Sequence, residues 1–295
     1  MTYSHLHPKT LEKMGLSDED RIEWMKLHRW LGYPHANIAL ERLEELLAHP
    51  RVDRMPNLLL LGRTNNGKTT VAKEFVRRHP ADENIGGDYI CLPVLYIECP
   101  GTPTEAGIYN EIFKTLYGST ITGSIEQKRD RVANLLKQIQ TKVLIIDELH
   151  NLSAVGAIKM NQVLNGLKYL GNILQLSLVG CGDARLPRIV RTDDQIENRF
   201  QPVVLPHWKF NKEFRQLLAS YQRILPLKKE SRLNDKQIAL KLYAMSEGAI
   251  GELSRLLNLA AAYAIKSGDE EVTLKGLESC GYVAPNARKE ELAGI

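Results

Sequence analysis

The string GRTNNGKT at Gly62–Thr69 constrains this chain more than any other stretch, because it matches GxxxxGK[ST] in a strand-to-helix setting. Asn57–Leu61 (NLLLL) reads as a buried strand before it, and Thr69–Arg78 as a helix after it. Glycines at positions 62 and 67 let the backbone curl so that successive N–H groups point inward and cradle phosphate oxygens. The helix that opens near Lys68 adds the positive end of its dipole. The candidate nucleotide-binding residues are therefore Gly62, Arg63, Thr64, Asn65, Asn66, Gly67, Lys68, Thr69 and Thr70. Lys68 is expected to neutralise the β- and γ-phosphates of ATP, and the Thr69 hydroxyl to hold Mg²⁺.

A second string, VLIIDE at Val143–Glu148, brings carboxylates to the end of an apolar strand. Asp147 suits Mg²⁺, held directly or through water. Glu148, one residue on, suits a general base that polarises water for in-line attack on the γ-phosphate. An adjacent Asp-Glu pair favours hydrolysis over phosphoryl transfer to a small acceptor. Two arginines follow: Arg199 in QIENRF (Gln195–Phe200) and Arg255 in GELSRLL (Gly251–Leu257). A transferring phosphoryl group carries spread charge, and one added arginine is worth roughly 10³–10⁵ in rate in GTPases. Arg255 is expected to reach the nucleotide from a helical domain, and Arg199 from a neighbouring subunit.

Apolar runs alternate with helical patterns through the first two thirds of the chain. The runs are Asn57–Leu61, Val94–Ile97, Val143–Ile146, Ile173–Val179 and Val203–Leu205. Helical patterns lie between them at Thr69–Arg78, Ala106–Tyr117, Ile125–Gln140 and Ala157–Tyr169. Such alternation predicts βαβ units and a five-stranded parallel sheet sandwiched by helices. After Pro206 only helical patterns remain. The expected divisions are an N-terminal helical segment 1–50, an α/β domain 51–206, a helical lid 207–283 and a polar, mobile tail 284–295.

Composition narrows the class. The 295 residues are 43% hydrophobic and 25% charged, which is globular. The net charge of +4 is compatible with a polyanion partner without requiring one. The four cysteines are far apart and the eight histidines scattered, so neither a zinc site nor a disulfide framework is expected. His150 reads as a packing residue or a supporting one. No apolar run reaches the roughly 18 residues of a membrane span, and the opening MTYSHLHPKT has no apolar signal core. A reduced cytoplasmic setting is the expectation.

Taken together, the phosphate loop, the VLIIDE strand, the NRF box and the GxxxR helix resemble an AAA+ ATPase. More narrowly, RMPNLLLLGRTNNGKTT at Arg54–Thr70, preceded by RWLGYPHANIALERLEELL, resembles the TniB family of transposition ATPases, relatives of TnsC. The resemblance spans roughly residues 20–280. It implies a homo-oligomeric ring or helical filament around double-stranded DNA, formed when ATP is bound, in the nucleoid of a bacterial cytoplasm. It also implies a link between a TniQ-type target-selection protein and a DDE transposase, with no membrane involved and no DNA cut by this chain. On matching positions, Lys68 and Thr69 bind nucleotide and Mg²⁺, Asp147 is the Walker B acid, Glu148 activates water, Arg199 is a finger across the subunit interface, and Arg255 is a lid sensor.

The chain departs from that pattern after its fourth strand, LVGCGDA, where Cys181 stands in place of the usual hydroxyl or amide sensor. A thiol is a weak hydrogen-bond partner, which leaves Ser177 or Asp183 as substitutes. For DNA, the polar loops Pro100–Glu105 and Tyr117–Ser124 offer Thr104, Thr120, Thr122 and Ser124 as phosphate-contacting candidates. Trp24, Trp30 and Tyr33 are expected to pack on the ATPase core or to dock a neighbour. A helicase loader or replication initiator shares nearly all these nucleotide residues and is the alternative; a small-molecule P-loop kinase is a more distant one.

Overall fold

A computed structural model describes residues 3–27, 30–191 and 198–293. Residues 195–197 of the QIENRF string, His28 and Arg29 of the first aromatic segment and the last two residues of the tail lie outside the described residues. The helices are α1 (Pro8–Leu11), α2 (Asp18–Lys26), α3 (Pro34–Ala48), α4 (Lys68–Arg78), α5 (Glu105–Tyr117), α6 (Ile125–Gln138), α7 (Ala157–Leu174), α8 (Leu186–Val190), α9 (Lys212–Ile224), α10 (Lys236–Ser246), α11 (Ile250–Ser267), α12 (Leu274–Ser279) and α13 (Pro285–Ala293). The strands are β1 (Asn57–Leu61), β2 (Val94–Glu98), β3 (Val143–Asp147), β4 (Ser177–Gly182) and β5 (Phe200–Val204).

Two compact units result. One is Pro34–Pro206; the other joins Met1–Tyr33 to His207–Ile295. In the first unit the strands form one parallel sheet in the order β2-β3-β4-β1-β5. Every residue of β1, β3 and β4 is buried, which demands cover on both faces and explains the unbroken apolar runs. Leu95, Ile97, Ile112, Leu136, Leu144 and Leu170 knit strands and helices into the core. Leu149 tucks against β4 because Gly180 lacks a side chain: a Cβ there would lie 2.7 Å from Leu149 Cδ2.

The strand expected from Ile173 begins instead at Ser177. Ile173 and Leu174 complete α7, and Gln175 ends it at φ 49° with its N–H on the Gly171 carbonyl. The last strand starts earlier than expected, at Phe200, paired through Asn57↔Phe200. The consequence that matters is the sheet order. β4 lies between β1 and β3, so the loops after β1 and β3 open on the same carboxyl edge, flanking the end of β4 at spacings of about 4.8 Å per strand.

The second unit is helical. Within it α2 packs on α11, and a buried ion pair fastens the N-terminal stretch. Arg21, 1% exposed, donates from Nη1 and Nη2 to Glu270 at 3.0 and 2.7 Å, and also to the Pro226 carbonyl at 2.8 Å. Tyr33 packs on Trp208, which continues through Phe214 to Tyr243. Residues 1–50, expected as one segment, are thus divided. The stretch before Pro34 is drawn to Glu270, while α3 buries Ala36, Ala39, Leu40, Leu43 and Leu46 in the α/β unit. Residues 284–295, expected as a mobile tail, contain α13. Arg288 there bonds the buried Glu252 carboxylate, which also accepts from the Tyr282 hydroxyl at 2.8 Å.

Burial alone would raise the Glu270 carboxyl, but hydrogen bonds from Arg21 and Lys228 override it and hold it at about 2. A carboxyl lowered in the folded state adds stability above its unfolded pKa of about 4.3, and that share is lost as pH falls toward 2. We predict that Arg21→Ala, which leaves Glu270 buried without its guanidinium, destabilises the helical unit by about 3–5 kcal/mol in denaturant unfolding at neutral pH. Glu270→Gln should flatten the stability loss of the wild type between pH 4 and pH 2; an unchanged acid limb would refute the assignment.

Candidate functional site

The phosphate loop is fastened at its root by the sheet. Gly62 N–H donates to the Gly182 carbonyl of β4 at 3.1 Å, and Leu205 N–H donates to Leu61 at 2.7 Å. Asn65 and Gly67 take left-handed φ values of 60° and 87°, which turn the chain into α4. Asn66 between them is buried, and its Nδ2 donates to the carbonyls of Leu205 at 2.7 Å and Pro206 at 2.9 Å. This pins the crown of the loop to the end of β5. Gly67 supplies no side-chain cap, so the first amides of α4 have no side-chain acceptor and suit an anion. Lys68 folds its ammonium over the loop, donating to the carbonyls of Gly62 at 2.9 Å and Arg63 at 3.1 Å. Arg63, Thr64 and Asn65 are exposed at the rim, and Thr70 is half-buried in the first turn of α4.

Asp147, 1% exposed, ends β3 across β4 from this loop. Its Oδ2 accepts from the Thr69 hydroxyl at 2.6 Å and the Tyr96 hydroxyl at 2.9 Å, while Oδ1 accepts from the Glu148 N–H at 2.8 Å. Burial, reinforced by the Asp147 charge, pushes the Tyr96 phenol up, so it remains a donor. Glu148 turns out of the strand at φ 53° and is half-buried, with Oε2 3.2 Å from His150 Nε2. Among the described residues no group of three or more His, Cys, Asp or Glu side chains is placed to hold a metal. The paired Thr69 hydroxyl and Asp147 carboxylate nevertheless fit Mg²⁺, which takes few protein ligands beside a phosphate and completes its shell with phosphate and water oxygens.

Arg199 is placed apart from this cluster within the α/β unit, and Arg255 lies at the surface of the helical unit. Arg199 precedes β5, and its carbonyl accepts from Asn57 N–H at 2.9 Å, at the amino edge of the sheet; its Nη1 donates to Asn172 at 2.6 Å. The phosphate loop follows the opposite end of β1, a strand length of about 16 Å away. Arg255 is exposed on α11 of the helical unit. Thr104 caps α5 by accepting from Gly107 N–H, and Ser124 caps α6 in a reciprocal box with Gln127; Thr120 and Thr122 are exposed between those helices.

The three sensor candidates lie at different places along the fourth strand and just past its end. Cys181 is fully buried and burial pushes its thiol well up, so it carries no charge. Ser177 starts β4 at the amino edge, opposite Val143. Asp183 lies at the carboxyl edge just after β4. The sequence reading missed Tyr96, whose signal was a lone phenol within the apolar run VLYI; it counted Asn66 among the nucleotide-binding residues but not the bonds by which its side chain pins the loop. We predict that Asn66→Ala, which removes a buried bond to the Leu205 carbonyl and a part-buried one to Pro206, lowers stability by about 1–3 kcal/mol in denaturant unfolding. No change would mean that the loop is held by its glycine geometry alone.

The Aeropyrum pernix ORC1 protein, solved in complex with DNA, is similar with a TM-score of 0.59 at 21% identity, covering 84% of this chain and 65% of that one. Drosophila ORC bound to DNA gives 0.59 at 18% identity over 90% of this chain and 65% of that one. The ADP form of A. pernix ORC2 gives 0.57 at 19% identity, covering 83% and 65%. The chain thus spans 65% of the length of these structures, and at such identities the likeness concerns the fold, which is the AAA+ P-loop fold. No curated protein matches the chain. The family model described as Bacterial TniB protein matches residues 21–210. That span holds the phosphate loop, the Asp147–Glu148 pair and all five strands, and the chain belongs to the TniB family.

Proposed function

We propose that this chain is an Mg²⁺-dependent ATPase that binds duplex DNA without regard to sequence, assembles on it as a ring or helical filament, and couples a TniQ-type target selector to a DDE transposase in the bacterial cytoplasm. The observation that carries the reading is the convergence of Lys68, Thr69, Asp147 and Glu148 on one sheet edge, with Arg199 at the other. The first four make a hydrolytic half-site. Arg199 serves a nucleotide held by a neighbouring copy, which makes the site complete only in the polymer.

The α4 amides and the Lys68 ammonium hold the β- and γ-phosphates of ATP. The Thr69 hydroxyl and the Asp147 carboxylate would hold Mg²⁺, which would supply charge neutralisation for the phosphates. Tyr96 orients Asp147 through its hydroxyl bond. Glu148 takes a proton from water as the water oxygen attacks the γ-phosphorus and the bond to the β-phosphate oxygen breaks, giving ADP and phosphate. Loss of the γ-phosphate removes the group that Arg199 grips, and the contact between subunits loosens. Arg255 is the candidate lid sensor. Thr120, Thr122 and the capping hydroxyls of Thr104 and Ser124 are the candidate donors to DNA phosphates, with affinity multiplied along the polymer. DNA in the ORC1 and ORC structures supports a DNA partner. The same likeness favours an initiator or helicase loader as the second reading, which shares the nucleotide chemistry and differs in the partner gripped.

Binding to a random duplex of about 60 base pairs should be tight, cooperative and salt-sensitive with a slowly hydrolysed ATP analogue, and weak with ADP. Lys68→Ala should lose nucleotide and DNA binding together, and Glu148→Gln should give polymers that outlast wild type. Binding in neither nucleotide state would transfer the case to a loader that grips protein. Mixed subunits test Arg199. Lys68→Ala and Arg199→Ala proteins, each inactive alone, should recover ATPase activity when combined, because mixed interfaces pair an intact loop with an intact arginine. Absence of recovery would place Arg199 outside the reaction.

A further inference from the structure

His150 lies in the 3₁₀ turn Leu149–Ala154 that follows Glu148, and it is 9% exposed. Its Nε2 is 3.2 Å from Glu148 Oε2 and 3.8 Å from Asp183 Oδ2. Both neighbours are carboxylate oxygens, which only accept, so Nε2 must carry the proton. Nδ1 is buried with no partner. One N–H therefore faces two acceptors.

Asp183 is itself held. Arg185 donates from Nε to its two oxygens at 3.0 and 3.1 Å and from Nη2 to Oδ2 at 2.7 Å, while Nη1 reaches Ser153 Oγ at 3.4 Å. The Arg185 bond keeps the Asp183 carboxyl at about 2, fully ionised at neutral pH. The turn stands directly after β4, whose Gly182 carbonyl anchors the phosphate loop. A Cβ on Gly182 would lie 3.3 Å from His150 Cβ, which shows how closely turn and ring are packed.

We propose that His150 is a positioning residue that couples Glu148 to the turn after β4. While Arg185 occupies Asp183, the His150 N–H rests on Glu148 and weakens it as a base. When Arg185 lets go, Asp183 becomes the better acceptor, the N–H moves to it, and Glu148 is released. The Asp183–Arg185 pair thus takes the part that Cys181 cannot, linking the fourth strand to hydrolysis through an N–H that passes from Glu148 to Asp183 and not through a contact with phosphate. The inference rests on Glu148 being the base.

The test is single-turnover ATP hydrolysis by the full chain, with nucleotide affinity and unfolding midpoint measured on the same proteins. Arg185→Ala should raise the hydrolysis step about three- to tenfold, the worth of one hydrogen bond redistributed. Asp183→Asn, a poorer acceptor, should lower it by a similar factor, with nucleotide affinity unchanged in both. A merely structural role would move both variants downward. In a His150→Ala background the Arg185→Ala gain should vanish, whereas His150→Gln, which keeps an N–H near the same place, should retain part of it. Equal losses in the two single variants, or a gain that persists without His150, would overturn the coupling. Wild-type hydrolysis by Glu148→Gln would instead overturn the base assignment beneath it.

Discussion

The carboxyl edge of the sheet depends on β4 being inserted between β1 and β3. Without that strand the phosphate loop and the Asp147–Glu148 corner would adjoin directly. With it, they face each other across about two strand spacings, and the Thr69 hydroxyl on α4 closes the gap to Asp147 at 2.6 Å. The insertion also gives the end of β4 a view of both. Gly182 takes the loop's first N–H, and Asp183 faces the histidine beside Glu148. Gly180 makes the arrangement possible from below, since any side chain there would displace Leu149 and the turn that carries His150.

Buried polar groups at this edge are matched in a graded way. Asp147 has three donors and is nearly inaccessible, which suits a carboxylate that must keep one orientation. Glu148 has His150 beside it and is partly open, which suits a group that must meet water. The helical unit uses buried ions differently. Arg21 with Glu270, and Arg288 with Glu252, fasten the two ends of the chain onto the same helical body. Neither pair is adjacent in sequence, so each specifies a fold-level contact at the cost of desolvating both charges.

Much of the site was legible because the phosphate loop is a local device. Its residues are contiguous, its glycines follow from backbone geometry, and its flanking strand and helix announce themselves by period. Asp147 and Glu148 were legible for the same reason, as acids at the end of an apolar run. Tyr96, the bond from Asn66 to Leu205 and the His150–Asp183 contact were not, because their meaning lies in partners 51, 139 and 33 positions away. The boundary at Gln175 escaped period reading as well: Ile173 and Leu174 are as apolar as the strand that follows, and only a left-handed residue separates helix from strand.

The sequence by itself determined the class of fold, the phosphate loop, the paired acids and the change from α/β to all-helical pattern after Pro206, since each is written in residues close together along the chain. Only the tertiary structure decided the strand order, the apportioning of residues 1–50 between two units, the helix within the expected tail, and the separation of Arg199 from its own chain's phosphate loop. Those features depend on which distant surfaces bury each other and which buried charges find partners, and local pattern carries no record of either.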